Sequence, residues 1–382
     1  MIFLTTTHRN MGCLLLALCA TGLVGAASRD ITPSSDQQII EKLAPRVRTS
    51  ASTPEAAALA ARQAITLARQ TADVRYLGRA QATLQRWWDQ PDTPVELAVL
   101  QATVHQSRHE FAAAHRVLQL ALQREPLHAQ GWLTMATLDR VAGRYSAALT
   151  ACTAVERAGA ALYAAACMLE TTSLQGQHDA AAKGFDALRM QTKDSATQAW
   201  LLSLAAENEE RAGRDAAALA AYQSSLALDN KDTYTALGAA DLLLRTGRAA
   251  QALPLLTTLP DSDAVLLRRA YAAKLLGNTA WQALATQLAQ RLEALDQRGD
   301  DPAAHARERA LMHLWLDADG SRALASAQLN LTLQKEPFDW WLALQSAQLA
   351  GDKATTEKLQ REMVATGLRD ARLAKKYSSV PM

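Results

Sequence analysis

Gly213 and Gly247 lie 34 residues apart and open the same short phrase, Gly213-Arg214-Asp215-Ala216-Ala217 and Gly247-Arg248-Ala249-Ala250. Gly143-Arg144-Tyr145-Ser146-Ala147-Ala148 carries it upstream. A row of small residues, Ala114, Ala148, Ala181, Ala218 and Ala252, advances at intervals of 34, 33, 37 and 34. A second row, Ala102, Ala136, Ala206 and Ala240, stands twelve residues before Ala114, Ala148, Ala218 and Ala252. Two rows in register at one period confine the chain to a repeat architecture, because a unit this short cannot bury its apolar face alone and must stack on its neighbour.

Within a unit the pattern reads helix, Gly-Arg turn, helix. Trp132, Met135, Ala136 and Asp139 recur at three- and four-residue spacing before Gly143, and Tyr145, Ala148, Leu149 and Cys152 do so after it. Glycine ends the first helix by adopting a left-handed cap. Pro126 and Pro337 are expected where the second helix of a unit stops, since proline cannot continue the hydrogen-bond ladder. The composition agrees: 49% of the chain is apolar but only 5% aromatic, so Ala and Leu carry the hydrophobicity. Alanine lets helix backbones approach closely at no side-chain entropy cost. An all-β chain is excluded.

The pattern resembles the tetratricopeptide-repeat (TPR) family, whose 34-residue unit is a helix-turn-helix with bulky-small pairs in its first helix. Trp132, Met135, Ala136, Gly143, Ala148 and Cys152 match in one unit, and Leu202, Ala205, Ala206, Gly213, Ala218 and Tyr222 in another. The resemblance implies an all-α, right-handed superhelical solenoid of antiparallel helix pairs. The phase runs over 95–334, with degenerate units near 262–298 and 340–366; Leu169 and His313 replace small residues, and the spacing drifts near Lys193 and Arg298. Residues 54–88 are helical in pattern, with Asp73 an N-cap between two helices. The organisation expected is therefore a leader over 1–26, an N-terminal helical region of degenerate repeats over 27–94, a solenoid over 95–366 and a tail over 367–382.

The leader is read as an export signal. His8 and Arg9 precede the apolar run 11–18, Gly25-Ala26-Ala27 supplies small residues for cleavage, and no acidic residue occurs before Asp30. The apolar stretch 11–24 is shorter than the ~20 residues a spanning helix needs. An uncleaved anchor is one alternative, and a lipidated Cys19 is another, although Leu18 stands where a small residue belongs. Cleavage near Ala26 leaves Cys152 and Cys167 as the cysteines of the mature chain, in a bacterial periplasm or cell envelope that permits disulfides. Repeat phase puts Cys152 on one unit's second helix and Cys167 on the next unit's first, so a bond between them is expected; two separate buried thiols are the alternative.

No catalytic constellation emerges. His105, His109 and His115 could support a metal, but His105 falls in an interhelix aromatic slot and His109 in the turn slot held elsewhere by Gly. Trp87-Trp88 and Trp340-Trp341 could stack on sugars or peptides, but neighbours on a helix diverge by ~100°, so one of each pair can be core and the other surface, and packing is expected for at least one member. Glu207, Glu209 and Glu210 sit beside Arg211 and read as a solvated face, and Asn330-Leu331-Thr332 is too short to argue glycosylation. With 40 Lys and Arg against 38 Asp and Glu there is no basic excess for nucleic acid. No enzyme, cofactor or metal is expected.

The family resemblance implies a non-enzymatic adaptor or scaffold whose concave face, built by first helices, binds a protein or peptide partner, membrane-associated ones included. The candidate groove residues are Arg140, Glu170, Glu207, Glu210, Asp241, Arg245 and Lys274, with Tyr163, Trp200 and Tyr234 at helix starts. Chaperone-tail-binding members of the family use a lysine clamp, whereas this chain has Val99, Leu133, Ala166, Ser203 and Leu237 at one of its slots. Two other readings are an envelope scaffold that holds membrane machinery by its convex face or ends, and a module that binds envelope carbohydrate or peptidoglycan through exposed aromatics.

Overall fold

The computed structural model describes residues 53–374. The leader, with Cys13 and Cys19, lies outside the described residues, as do 27–52 and 375–382. Among the described residues every regular element is a helix. After α1 (Pro54–Thr71) and α2 (Arg75–Leu84), the chain continues as α3 (Val95–Ser107) and α4 (Phe111–Arg124), α5 (Ala129–Val141) and α6 (Tyr145–Arg157), α7 (Ala161–Leu174) and α8 (His178–Met190). Then come α9 (Ser195–Arg211) and α10 (Asp215–Leu228), α11 (Thr233–Arg245) and α12 (Ala249–Thr257), α13 (Asp263–Leu275) and α14 (Trp281–Gln297). The last pairs are α15 (Ala306–Leu311) with α16 (Gly320–Asn330), and α17 (Pro337–Leu349) with α18 (Lys353–Ala365), before a final turn, α19 (Ala371–Ala374). Consecutive helices pack as pairs and pairs stack in chain order, the helical solenoid expected.

The repeat landmarks mark turns. Gly143, Gly213 and Gly247 have φ of 72°, 73° and 74°, the left-handed conformation that ends a first helix. His109, one period before Gly143, adopts φ 61° there despite its side chain. The spacing departures have physical causes too. The 37-residue interval from Ala181 to Ala218 spans α9, a helix of 17 residues where α7 has 14 and α8 has 13. Leu169 faces Gly184 on α8, where an added Cβ would meet a Leu169 methyl at 2.5 Å. Bulk has moved from one helix to the other. His313 lies in a π-helical turn, Met312–Asp317, whose wider winding slips the register.

Two expectations need correction. Pro126 follows α4 as anticipated, but Pro337 opens α17, at the first turn where its missing N–H costs no helical bond. Asp73 accepts from the Arg75 amide at 2.9 Å, while the residue in the cap position of α2 is Val74. Within the expected tail, Leu368 and Leu373 are buried in the same apolar cluster as Tyr145 and Leu174 of the central units.

That cluster reflects a closure of the C-terminal end onto the middle of the solenoid. The Lys335 amide donates to the Val141 carbonyl at 2.7 Å, and the Arg369 amide to the Leu174 carbonyl at 2.8 Å. Thr366, Arg369 and Ala371 lie against Gly143, Gly176 and Gly213, the turns of three successive units. At the ends of α5 and α7 the closing segment satisfies carbonyls, those of Val141 and Leu174, that helix ends leave free.

Candidate functional site

First helices α3, α5, α7, α9 and α11 line a concave groove of about 340 Å³, and the start of α17 forms its opposite wall through Glu336 and Pro337. The groove takes side chains from the first helices because every first helix presents the same face at one repeat. Arg140, Tyr163, Glu170, Trp200, Glu207 and Tyr234 all contribute to it. Tyr163 and Trp200 pack with ring centres 5.6 Å apart, and Tyr234 is 65% exposed.

The charged groups are paired in a consistent sense. Arg140 Nη2 lies 2.8 Å from Glu170 Oε2, with side chains 10% and 19% exposed. Arg211 Nη1 lies 3.3 Å from Glu207 Oε2, with side chains 5% and 18% exposed. The guanidiniums sit behind and the carboxylates in front. Arg211 is further held by donating to Ser173 Oγ at 3.0 Å, and Tyr234 donates its hydroxyl to Glu207 Oε1 at 2.7 Å. Burial pushes the Glu207 carboxyl above the usual range; Arg211 opposes the shift, while Glu170 and Glu336 add to it. The Glu207 charge in turn holds the Tyr234 phenol well above its ordinary value.

Four anticipated groove residues are committed elsewhere. Glu210 is 7% exposed, accepts from Tyr222 at 2.9 Å and Arg245 at 3.2 Å, and lies 3.1 Å from Arg372 of α19. Arg245 also pairs with Asp215 at 2.6 Å. Asp241 is gripped by two guanidinium nitrogens of Arg268, each at 2.7 Å. Lys274 donates to the carbonyls of Trp315 and Leu316 at 3.0 and 2.9 Å, where the π-helical turn leaves them free. Each is a cross-unit fastening, which repeat phase alone does not distinguish from a groove position. Conversely Arg211, Glu336 and Pro337 line the groove without having been anticipated; Arg211 was read as part of a solvated face, and the other two arrive only through the closure.

The remaining motifs resolve into packing. His105 packs at a tilt on Trp88, ring centres 5.0 Å apart, and its Nδ1 meets Glu110, while His109 turns its ring edge-on to Phe111 at 5.5 Å. The histidines therefore diverge, and among the described residues no group of three or more His, Cys, Asp or Glu could hold a metal. Trp340 is buried as expected of one pair member, and Trp341 packs on Phe338 at 5.2 Å. Trp87 and Trp88 are both half-buried against the N-terminal cluster. Asn330 is buried and donates to Asp339 at 2.7 Å, so it offers no surface amide for glycosylation. Cys152 of α6 and Cys167 of α7 are joined by a disulfide with Cα atoms 5.6 Å apart. Cys167 forms part of the groove wall, and its Sγ accepts from Arg140 Nη1 at 3.5 Å. No described helix is long and apolar enough to cross a membrane.

No family model and no curated protein sequence matches the chain. Among solved structures it is similar to a Rap protein complexed with Competence and Sporulation Factor, with TM-score 0.53 and 10% identity over 85% of this chain and 87% of that one. A tetratricopeptide repeat protein from Parabacteroides merdae aligns at TM-score 0.39 and 14% identity, over 66% of this chain and 98% of that one. Repeat period, left-handed glycine turns, stacked helix pairs and the first of these likenesses agree: the chain is, in fold, a helical solenoid of the tetratricopeptide-repeat type.

Proposed function

We propose that this chain is an exported, non-enzymatic scaffold of the bacterial cell envelope that holds a peptide segment of a partner protein in its concave groove. The carrying observation is the groove itself: a cleft of about 340 Å³ with an exposed tyrosine, a packed Tyr163–Trp200 pair and carboxylates in front of their guanidiniums. Aromatic anchors flanked by a few oriented polar groups are what concave recognition sites use. Solenoids supply such surfaces because each repeat adds one helix to a continuous face. Export is supported by the leader pattern in 1–26 and by the Cys152–Cys167 bond, which an oxidising compartment maintains. A solved structure similar to this chain in fold is a Rap protein complexed with Competence and Sporulation Factor, and we extend ligand binding to this chain as part of the proposal.

Photocrosslinking from position 163 in the envelope fraction tests the reading. Capture of a partner should occur from Tyr163 and be lost in Trp200→Ala, with the circular dichroism unchanged. No capture from position 163 would place binding on another face, and capture that persists in Trp200→Ala would remove Trp200 from the site.

A further inference from the structure

The groove's charge is out of keeping with the chain's. The full sequence carries a net charge of +2, yet the groove lining holds four carboxylates, Glu170, Glu207, Asp232 and Glu336, against the two guanidiniums of Arg140 and Arg211. Exposure widens the imbalance, since both guanidiniums lie deeper than their partners. Glu336 comes from the opposite wall, where its own partner Arg307 lies 2.8 Å away but also binds buried Asp339 at 2.8 Å, dividing one positive charge between two carboxylates. Three of these four acids, Glu170, Glu207 and Glu336, share the groove with Tyr163, Trp200 and Tyr234, a lining complementary to an ammonium or guanidinium on an apolar stem. The stem packs on rings and the head meets carboxylates.

We infer, resting on the groove-binding reading above, that the occupant is a peptide segment carrying a lysine or arginine whose head lies among Glu170, Glu207 and Glu336 and whose stem lies on Tyr163 and Trp200. An acidic segment would face like charge and force uncompensated carboxylates together. A cation entering the groove meets opposite charge and an anion meets like charge, so charge selects the partner as well as attracting it.

The test uses the purified chain and a heptapeptide library with randomised flanks and a central residue fixed in turn as Lys, Arg, Gln or Glu, with bound peptide read by mass spectrometry. Lys and Arg pools should be retained about tenfold or more over the Glu pool, and the preference should fall in Glu170→Gln and Glu207→Gln and in high salt. Glu336→Gln, on the opposite wall, provides a third variant if either of the first two unfolds. Equal retention of all pools, or preference for Glu, overturns the charge inference while leaving groove binding in place. No pool retained above a Trp200→Ala control, with Trp fluorescence instead quenched by soluble glycan or dimers forming with concentration, overturns the groove-binding reading itself.

Discussion

Arg369 donates its amide hydrogen to the carbonyl of Leu174 at 2.8 Å, joining a segment after the last full helix pair to the end of a first helix in the middle of the solenoid. An open solenoid has contacts only between neighbouring units, so its stability is close to a sum of local terms. Here the C-terminal segment bridges units that are remote in sequence. Leu368 and Leu373 bury beside Tyr145 and Leu174, and Arg372 reaches Glu210. The groove wall made by Glu336 and Pro337 exists because of this closure.

A matched pair of substitutions measures it. Gly176 and Gly247 both have left-handed φ, so an alanine at either incurs roughly 1–2 kcal/mol of backbone strain. At Gly247 an added Cβ meets open space, whereas at Gly176 it meets Arg369 Cβ at 2.9 Å. Gly176→Ala should therefore destabilise more than Gly247→Ala in urea titration, and should speed hydrogen exchange at the Arg369 amide. Equal losses, with Arg369 still protected, would mean that the closure carries no load.

The anticipated groove row separates into two classes with different responses. Arg245 and Lys274 fasten neighbouring units, so Arg245→Ala and Lys274→Ala should lower stability and leave peptide affinity unchanged. Removing Arg245 leaves Glu210 with Tyr222 and Arg372 as partners, so the loss should be about 1 kcal/mol, the net worth of one hydrogen bond. Trp200→Ala should do the reverse, weakening binding with little loss of helicity. A drop in peptide affinity for Lys274→Ala at unchanged stability would return that residue to the groove.

What the sequence made readable was local. Gly143, Gly213 and Gly247 announce their turns because only a left-handed residue ends a first helix there, and Cys152 and Cys167 meet because adjacent units stack at a fixed phase. The six groove residues on α5, α7, α9 and α11 follow from the same phase. Glu210, Asp241 and Lys274 share that phase but face Arg372, Arg268 and the π-helical carbonyls, partners supplied by other units or by an irregular turn. Periodicity specifies which face a residue occupies and is silent on what comes to meet it. The closure was illegible for the same reason: nothing in the composition of 367–374 distinguishes a tail from a segment with a docking place on three glycine turns.

The disulfide links helices that already pack, which sets an upper bound on its effect. Closing a loop with a sequence separation of 15 gives about 3 kcal/mol in the chain-entropy model. Cys152→Ala with Cys167→Ala should lower stability by up to that amount and match the reduced protein. Because Arg140 donates to Cys167 Sγ beside its ion pair with Glu170, the double variant should also weaken retention of the Lys pool. Two free thiols in the unfolded, unreduced protein would refute the bond.

Export predicts a defined N-terminus. The small residues Gly25, Ala26 and Ala27 follow the apolar run, so intact-mass measurement of envelope material should find a start at Ala27 or Ser28. A start at Met1 would sink the export reading, and a lipid-bearing Cys19 would replace cleavage near Ala26 with membrane anchoring.

Glu207 gives the groove a pH dependence whose sign can be worked out. Arg211 faces it from its own helix, Arg140 and Glu170 from α5 and α7, Tyr234 from α11 and Glu336 from the opposite wall. Burial raises its pKa, so as pH falls Glu207 takes up a proton earlier than an exposed glutamate would. A cationic side chain favours the ionised carboxylate, so affinity for the Lys pool should decline as pH drops into this range, while Tyr234 stays neutral throughout because its own pKa is raised. The same shift acts on folding: a carboxyl with a raised native pKa contributes stability below its unfolded pKa, and loses that contribution as pH rises through the native value. Binding and stability should thus move in opposite directions over one pH interval. Glu207→Gln removes both slopes and leaves an amide that still accepts from Tyr234. Fluorescence binding curves and urea titrations followed from neutral pH down into the acid range read the two effects together. Identical pH profiles for the wild-type chain and Glu207→Gln, or tighter binding of the Lys pool at the acid end, would show that Glu207 is not the group that meets the cation.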